Sequence, residues 1–430
     1  MFRTLQITSK CILAAALVLG MFIPVASAKK AKPEQVLYDF CSQANCSDGN
    51  GPGDLIMDSS GNFYGTATEG GNGDAACYEG CGVVFKLAAD GTETVLYSFC
   101  SQANCSDGAA PYAGLIMDGS GNLYGTTAAG GNGNAACQEG CGVVFKLAPD
   151  GTETVLYGFC SQANCSDGDA PYAGLIMDGA GNLYGTTFSG GLNVGCSTGC
   201  GTVFKIAPDG TETVLHSFCP EANCTDGDQP MGGLIMDGSG NLYGTTSNGG
   251  FHSYCCGTVF ELAPDGTETV LYAFGQAQTD GIYPLAGVTM DGAGNLYGTT
   301  SSGLNEGVLG TVFKLAPDGT ETALHDFTGG SDGAALQSGV ILDSAGNVYG
   351  TTDLGGSTCC DKHAGAGTAF ELAPDGTETQ LYIFKSRSHG KYPTSGLITD
   401  SQGNLYDSAS AGKYNGGVVF KINIDATAKR

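Results

Sequence analysis

The sequence predicts an all-β protein: a seven-bladed β-propeller of four-stranded antiparallel blades, closed by the N-terminal strand pairing into the last blade. Three observations carry this reading. The hairpin unit GLIMDGSGNLYGTT (Gly114–Thr127) returns with its D-x-x-G-N core at Asp58, Asp118, Asp178, Asp237, Asp291, Asp343 and Asp400. Successive units stand about 52–60 residues apart, the spacing of a four-stranded blade. Outside the first 30 residues no window carries apolar side chains at helical spacing, while glycine reaches 72 residues and tryptophan is absent.

The strands follow in order. GLIMD and LYGTT flank the D-x-x-G-N turn and form the first two. The third is GVVFKL at Gly82–Leu87 and Gly142–Leu147, returning at Gly201–Ile206, Gly257–Leu262, Gly310–Leu315, Gly367–Leu372 and Gly417–Ile422. A turn such as Pro149-Asp150-Gly151-Thr152 then leads to the fourth, because Asp-Gly between β-rich runs is a strong hairpin signal. That fourth strand is ETVLYSF at Glu93–Phe99, with relatives at Glu153–Phe159, Glu212–Phe218, Glu268–Phe274, Glu321–Phe327 and Glu378–Phe384. The seventh copy, QVLYDF (Gln35–Phe40), stands alone at the front of the chain. Each strand type therefore occurs seven times and the Asp-Gly turn six times, so Gln35–Phe40 is expected to complete blade 7 beside Val418–Ile422. Pairing the two ends in one sheet removes an open edge. The predicted organisation is an export signal over 1–28, a flexible arm over 29–34, the propeller over 35–424 and a short tail over 425–430.

Runs such as Val83-Val84-Phe85 suit strands apolar on both faces, as blades stacked face to face require. The glycine inside LYGTT (Gly125, Gly185, Gly244) predicts a close approach to the backbone. The tight turns fall on one face of the ring. The long connections, with every cysteine beyond the signal, fall on the other, where binding residues are expected. Aspartates 48, 107, 167, 226, 280 and 332 recur in those connections. They are expected to satisfy loop amides as Asx turns around the mouth of the central channel.

Charge excludes some partners. The formal net charge is -26, and losing Arg3 and Lys10 with the signal leaves about -28. Such a surface repels nucleic acid and anionic membranes. Residues 1–28 read as a cleavable signal: Arg3 and Lys10, an apolar Cys11–Ile23 too short to span a bilayer, and Ala26-Ser27-Ala28 before a cut after Ala28. The expectation is a secreted or periplasmic protein, monomeric and without membrane insertion.

The pattern GL-x-x-D-x-x-GNLYGTT, GG, G-x-VFKL, DGTET-x-LYSF resembles the bacterial tandem repeat called the GloVer repeat, over nearly everything after the signal. The resemblance implies an exported, propeller-like protein and brings no established reaction. The D-x-x-GN-x-Y hairpins are more distantly similar to those of NHL-type and lactonase-like propellers. The seventh unit departs, reading GNLYDSA at Gly403–Ala409.

Eighteen cysteines follow the signal, an even number that reads as disulfides in an exported chain. The C-x4-C pairs are Cys41/Cys46, Cys100/Cys105, Cys160/Cys165 and Cys219/Cys224; the C-x3-C pairs are Cys77/Cys81, Cys137/Cys141 and Cys196/Cys200. Each reads as a local bond, with bonds between the two loop types as the rival pairing and no metal role assigned. Cys255-Cys256 and Cys359-Cys360 read as vicinal disulfides.

In a repeat, what recurs is scaffold and what breaks the symmetry is a candidate site. His216 and His325 replace a strand tyrosine and read as packed. The loop residues His252, Tyr254, Lys362, His363, Arg387, His389 and Lys391 form the candidate ligand-binding set, a mixed aromatic and basic patch in an acidic protein. No G-x-S-x-G, H-E-x-x-H or P-loop occurs. The expected function is a binding or structural module for a glycan or surface protein on the long-loop face, without a cofactor. The alternative is a metal-dependent hydrolase or lyase of lactonase-like type, with calcium as the candidate ion at the channel mouth.

Overall fold

Apolar β-runs separated by turns of fixed chemistry fold here into seven four-stranded antiparallel sheets. The computed structural model describes residues 34–71, 80–131, 140–192, 196, 198–221, 223–252, 255–277, 280–357 and 365–424. In blade 2 the strands run outward from the axis as Ile116–Met117, Leu123–Thr127, Val143–Leu147 and Glu153–Gly158. Six blades keep this chain order. The seventh is built from Ile398–Thr399, Leu405–Ala409 and Val418–Ile422, with Glu34–Asp39 as its outermost strand.

The closure matches the sequence expectation, with the strand starting one residue earlier, at Glu34. Its register is Glu34↔Ile422, Val36↔Phe420 and Tyr38↔Val419, which leaves Leu37 as a bulge. Leu96, Leu156 and Leu215 bulge from the corresponding strands of blades 1, 2 and 3. A bulge bends the strand and steepens its twist. The N-terminal segment thus reproduces every feature of an ordinary fourth strand.

Two devices lock neighbouring blades. A phenylalanine after each outer strand meets one in the third strand of the next blade, edge to face at six junctions and tilted for Phe327–Phe370. Centroids are 5.1 Å apart for Phe99–Phe145 and 5.0 Å for Phe159–Phe204, and the seam follows suit at 4.8 Å for Phe40–Phe85. Such pairs contribute about 0.5–1.5 kcal/mol beyond the area they bury. Nearer the axis, the Thr126 hydroxyl donates to the carbonyl of Ala173 in the next blade (3.1 Å), and Thr66 to that of Ala113 (2.8 Å). The mid-strand glycine makes the phenylalanine possible: a Cβ on Gly125 would sit 2.8 Å from Cζ of Phe145.

The D-x-x-G-N turns are closed side-chain networks. Asp118 accepts from the amides of Ser120 and Asn122, the Asn122 side chain and the Tyr124 hydroxyl, all within 3.1 Å. Burial alone would raise this carboxyl, but those hydrogen bonds outweigh it and hold it below its usual range.

Local pairing is what the cysteines do among the described residues: Cys41–Cys46, Cys100–Cys105, Cys160–Cys165, Cys219–Cys224, Cys196–Cys200 and the vicinal Cys255–Cys256. Cys81 and Cys141 are also disulfide-bonded. The expected partners Cys77 and Cys137, and the Cys359-Cys360 pair, lie outside the described residues. Disulfides persist in oxidising compartments, so the folded chain belongs outside the cytoplasm. No helix among the described residues is long and apolar enough to cross a membrane.

Candidate functional site

All seven blades contribute to a central channel enclosing about 700 Å³, within the range of small-ligand sites. The chain enters each innermost strand from the long-loop side, and the residues just before that strand line the axis. Backbone crowds the axis at one of these positions: a Cβ on Gly287 would stand 2.2 Å from the carbonyl oxygen of Gly233. Glycine precedes the Leu or Val that leads into the innermost strand in six blades, at Gly114, Gly174, Gly233, Gly287, Gly339 and Gly396. Blade 1 alone has Asp54.

Asp54 is exposed to the channel, with protein packed densely around it. A Cβ on Gly114 would sit 2.7 Å from its own Cβ, so the neighbouring glycine makes room for it. Its Oδ1 accepts the Gly396 amide at 2.6 Å across the seam. Burial raises the carboxyl, and that hydrogen bond opposes the shift.

A second carboxylate belongs to the same junction. Asp407 fills the mid-strand glycine position in blade 7 and is wholly buried, with Oδ1 accepting the Ser408 amide at 2.6 Å and Oδ2 unpartnered. Burial holds it well above the usual carboxylate range, and the charge of Asp54 pushes the same way. Beside it, the Ser408 hydroxyl lies 2.7 Å from that of Ser395 and within 3.0 Å of the Pro52 and Gly53 carbonyls.

The channel wall is two-sided. Blades 6, 7 and 1 line it with Gln337, Ser395, Ser410, Thr68 and Asp54. Blades 2 to 5 line it with Tyr112, Tyr172, Met231 and Leu285. Tyr112 is half exposed and meets Tyr172 edge to face at 5.2 Å; Tyr172 in turn meets Phe188 at 5.5 Å. An aromatic strip thus faces a hydrogen-bonding wall across the cavity.

The loop aspartates do the expected work in a different place. Among the described residues lining the channel none of the six appears. Asp107 instead sits against the outer strand, accepting from Tyr97 Oη, Ser101 N and Ser101 Oγ within 2.9 Å. The tyrosine that anchors it belongs to the fourth, outermost strand. His216 and His325 take over that tyrosine's role, each placing Nε2 within 3.1 Å of Asp226 or Asp332.

Of the candidate ligand-binding set, Tyr254, Lys362 and His363 lie outside the described residues. Arg387, His389 and Lys391 share the connection from blade 6 to blade 7. Arg387 and His389 are exposed, and His389 Nδ1 lies 2.9 Å from the Ser386 hydroxyl. His252 is exposed in the long loop of blade 4, against the Phe251 ring. No contact among the described residues joins His252 to the other three. Asp54 and Asp407 are absent from that set. The signal that finds them is a charge at a position that is glycine in the other six repeats.

Virginiamycin B lyase from Staphylococcus aureus is similar in structure, with a TM-score of 0.55 and 12% identity over 91% of this chain and 98% of that one. So is the extracellular domain assigned to a hybrid two-component system of B. thetaiotaomicron, with a TM-score of 0.55 and 11% identity over 90% of this chain and 39% of that one. At these identities the likeness is one of fold. No match was found among curated proteins. The sequence pattern of the Gloeobacter/Verrucomicrobia repeat, by contrast, matches residues 25–191, 134–362 and 253–430. Together these segments cover the whole propeller, and the chain belongs to the Gloeobacter/Verrucomicrobia repeat family.

Proposed function

We propose that the protein is an exported glycan-binding module whose site is the central channel, entered from the long-loop face. The observation that carries this is the two-sided wall. A sugar ring offers an apolar C–H face and a rim of hydroxyls. Tyr112 and Tyr172 supply a surface for the first, and Asp54 and Gln337 supply polar groups for the second. A carboxylate that accepts from hydroxyls adds orientation as well as affinity.

The lining carboxylates give little support to a calcium site. That ion takes six to eight oxygens, and among the described lining residues Asp54 is the one carboxylate, with Oδ1 already engaged by Gly396. We therefore derive no metal-dependent hydrolysis or elimination from it.

A glycan array probed with the chain lacking its signal tests the proposal. Binding to neutral glycans is expected, weakened roughly tenfold by Tyr112→Ala, the equivalent of about 1.4 kcal/mol. Asp54→Asn should weaken it as well, while the paired change Arg387→Ala and His389→Ala leaves it intact. An array without signal, or binding indifferent to Tyr112 and Asp54, defeats the channel reading. Binding lost only with Arg387 and His389 moves the site to the loop patch.

A further inference from the structure

The strand ladder of blade 3 converges two cysteine pairs. Thr202–Ile206 pairs with Glu212–Ser217, and Phe218 N continues the ladder by donating to Gly201 O at 3.1 Å. Cys200 precedes the one strand and Cys219 follows the other, so they arrive side by side above the sheet. Their short loops return Cys196 and Cys224 to the same place. The four sulfurs all lie within 4.8 Å of one another. The arrangement recurs in blade 1 with Cys81, Cys100 and Cys105, and in blade 2 with Cys141, Cys160 and Cys165. Local disulfides account for each pair but do not require the two pairs to meet.

Tetrahedral tetrathiolate coordination at about 2.3 Å per bond sets sulfur–sulfur distances near 3.8 Å. Sulfurs already within 4.8 Å reach that geometry by shifts of about 1 Å or less. Cys200, Cys219 and Cys224 are buried and Cys196 is partly so, which makes the position closed, as structural sites are. The Asp228 carboxylate lies 3.5 Å from Cys196 Sγ and adds negative charge at the rim.

We propose that the blade 3 cluster of Cys196, Cys200, Cys219 and Cys224, once reduced, is a tetrathiolate site for a soft cation of the Zn²⁺ type. The same fold is then pinned by two disulfides in oxidising surroundings and by a metal in reducing ones. With a water-soluble phosphine as reductant, each disulfide and one water give two thiols, and the phosphine becomes its oxide. Binding the cation then releases four protons from the four thiols. Thiolates rather than carboxylates select soft or borderline metals. The sequence supplies internal controls. Cys41/Cys46 has no C-x3-C pair in blade 7 to meet, and Cys255-Cys256 is followed by a connection without cysteine.

Anaerobic cobalt titration of the phosphine-reduced full chain tests this. The intense absorption of tetrahedral thiolate cobalt should appear, account for at least one equivalent, and disappear on adding Zn²⁺. The oxidised chain should show none. Cys219→Ser should remove about one equivalent, and Cys41→Ser and Cys255→Ser none. Circular dichroism covers the case in which reduction unfolds the chain, because cobalt should then restore the sheet signal. Absence of the band in a folded reduced chain overturns the proposal. So does failure of cobalt to bind or refold an unfolded one, or an equal loss from Cys41→Ser.

Discussion

Blades 2 and 3 keep the repeat's glycines and strand pattern, whereas blades 7 and 1 meet at a junction where the repeat is broken three times. There Asp54 and Asp407 stand at positions that are glycine elsewhere, and the outer strand of one sheet comes from the far end of the chain. The same inter-blade locks operate in both regions: Phe40–Phe85 imitates Phe99–Phe145, and the Ser408 hydroxyl imitates that of Thr126. Substitution at the junction therefore leaves the mechanical parts alone and changes what faces the axis or lies just beneath it. Repetition builds the ring; its lapses furnish the channel.

Removing residues 34–40 should break this equivalence most completely. Val418–Ile422 then becomes a bare edge, and aggregation or strand-exchanged dimers are expected. Light scattering that finds an unchanged, equally stable monomer would show that the junction does not close the ring. Next in size is Phe145→Ala within the repeated blades, with an expected loss of about 3–5 kcal/mol in denaturant unfolding, because Phe145 is fully buried. Phe420→Ala should cost about the same if both regions are locked alike. A much smaller value would mark blade 7 as the loose member.

Asp407→Gly sharpens the comparison in the opposite sense. It returns blade 7 to the repeat and removes an oxygen buried without a partner, which costs about 1–3 kcal/mol, against about 0.5–1 kcal/mol for glycine within a strand. A gain of about 1 kcal/mol follows, visible as a higher melting temperature. A loss would show that the carboxyl does structural work.

The smallest effect is spread over the whole ring. Glu93, Glu153, Glu212, Glu268 and Glu321 open the outer strands of blades 1 to 5, and burial pushes each up to about 7. For Glu153, the adjacent Asp107 adds to the shift. A carboxyl raised on folding stabilises below its unfolded value and loses that contribution as pH climbs through its folded one. The lowered turn aspartates act in the opposite direction, and their contribution is lost as pH falls below the usual aspartate range. Thermal stability should therefore peak at about pH 4–5 and decline towards pH 8. A maximum near neutrality would mean that these half-exposed glutamates are screened by solvent.

The architecture was legible because each strand type announces itself seven times, and the missing seventh turn places the chain ends in one sheet. The channel was less legible. Asp54 and Asp407 look like drift until the sheets bring position 54 to the axis and position 407 under it. The loop aspartates misled in the other direction. Their spacing reveals an amide-capping role, but not the hydrogen bond that ties Asp107 to the hydroxyl of Tyr97 at the outer strand. The basic and aromatic loop residues were conspicuous for their chemistry, yet His252 and His389 sit in loops belonging to blades 4 and 6, which never adjoin.

One feature of the seam carries over to engineering. Ile422 and Glu34 face each other in the same register as Leu147 and Glu153, a pair joined by Ala148–Thr152. Copying those five residues between Ile422 and Glu34 would make the backbone endless, or let new termini be opened in any other tight turn. The ring then has no privileged starting point, and permutants cut at successive turns would report how much each blade relies on being made first or last.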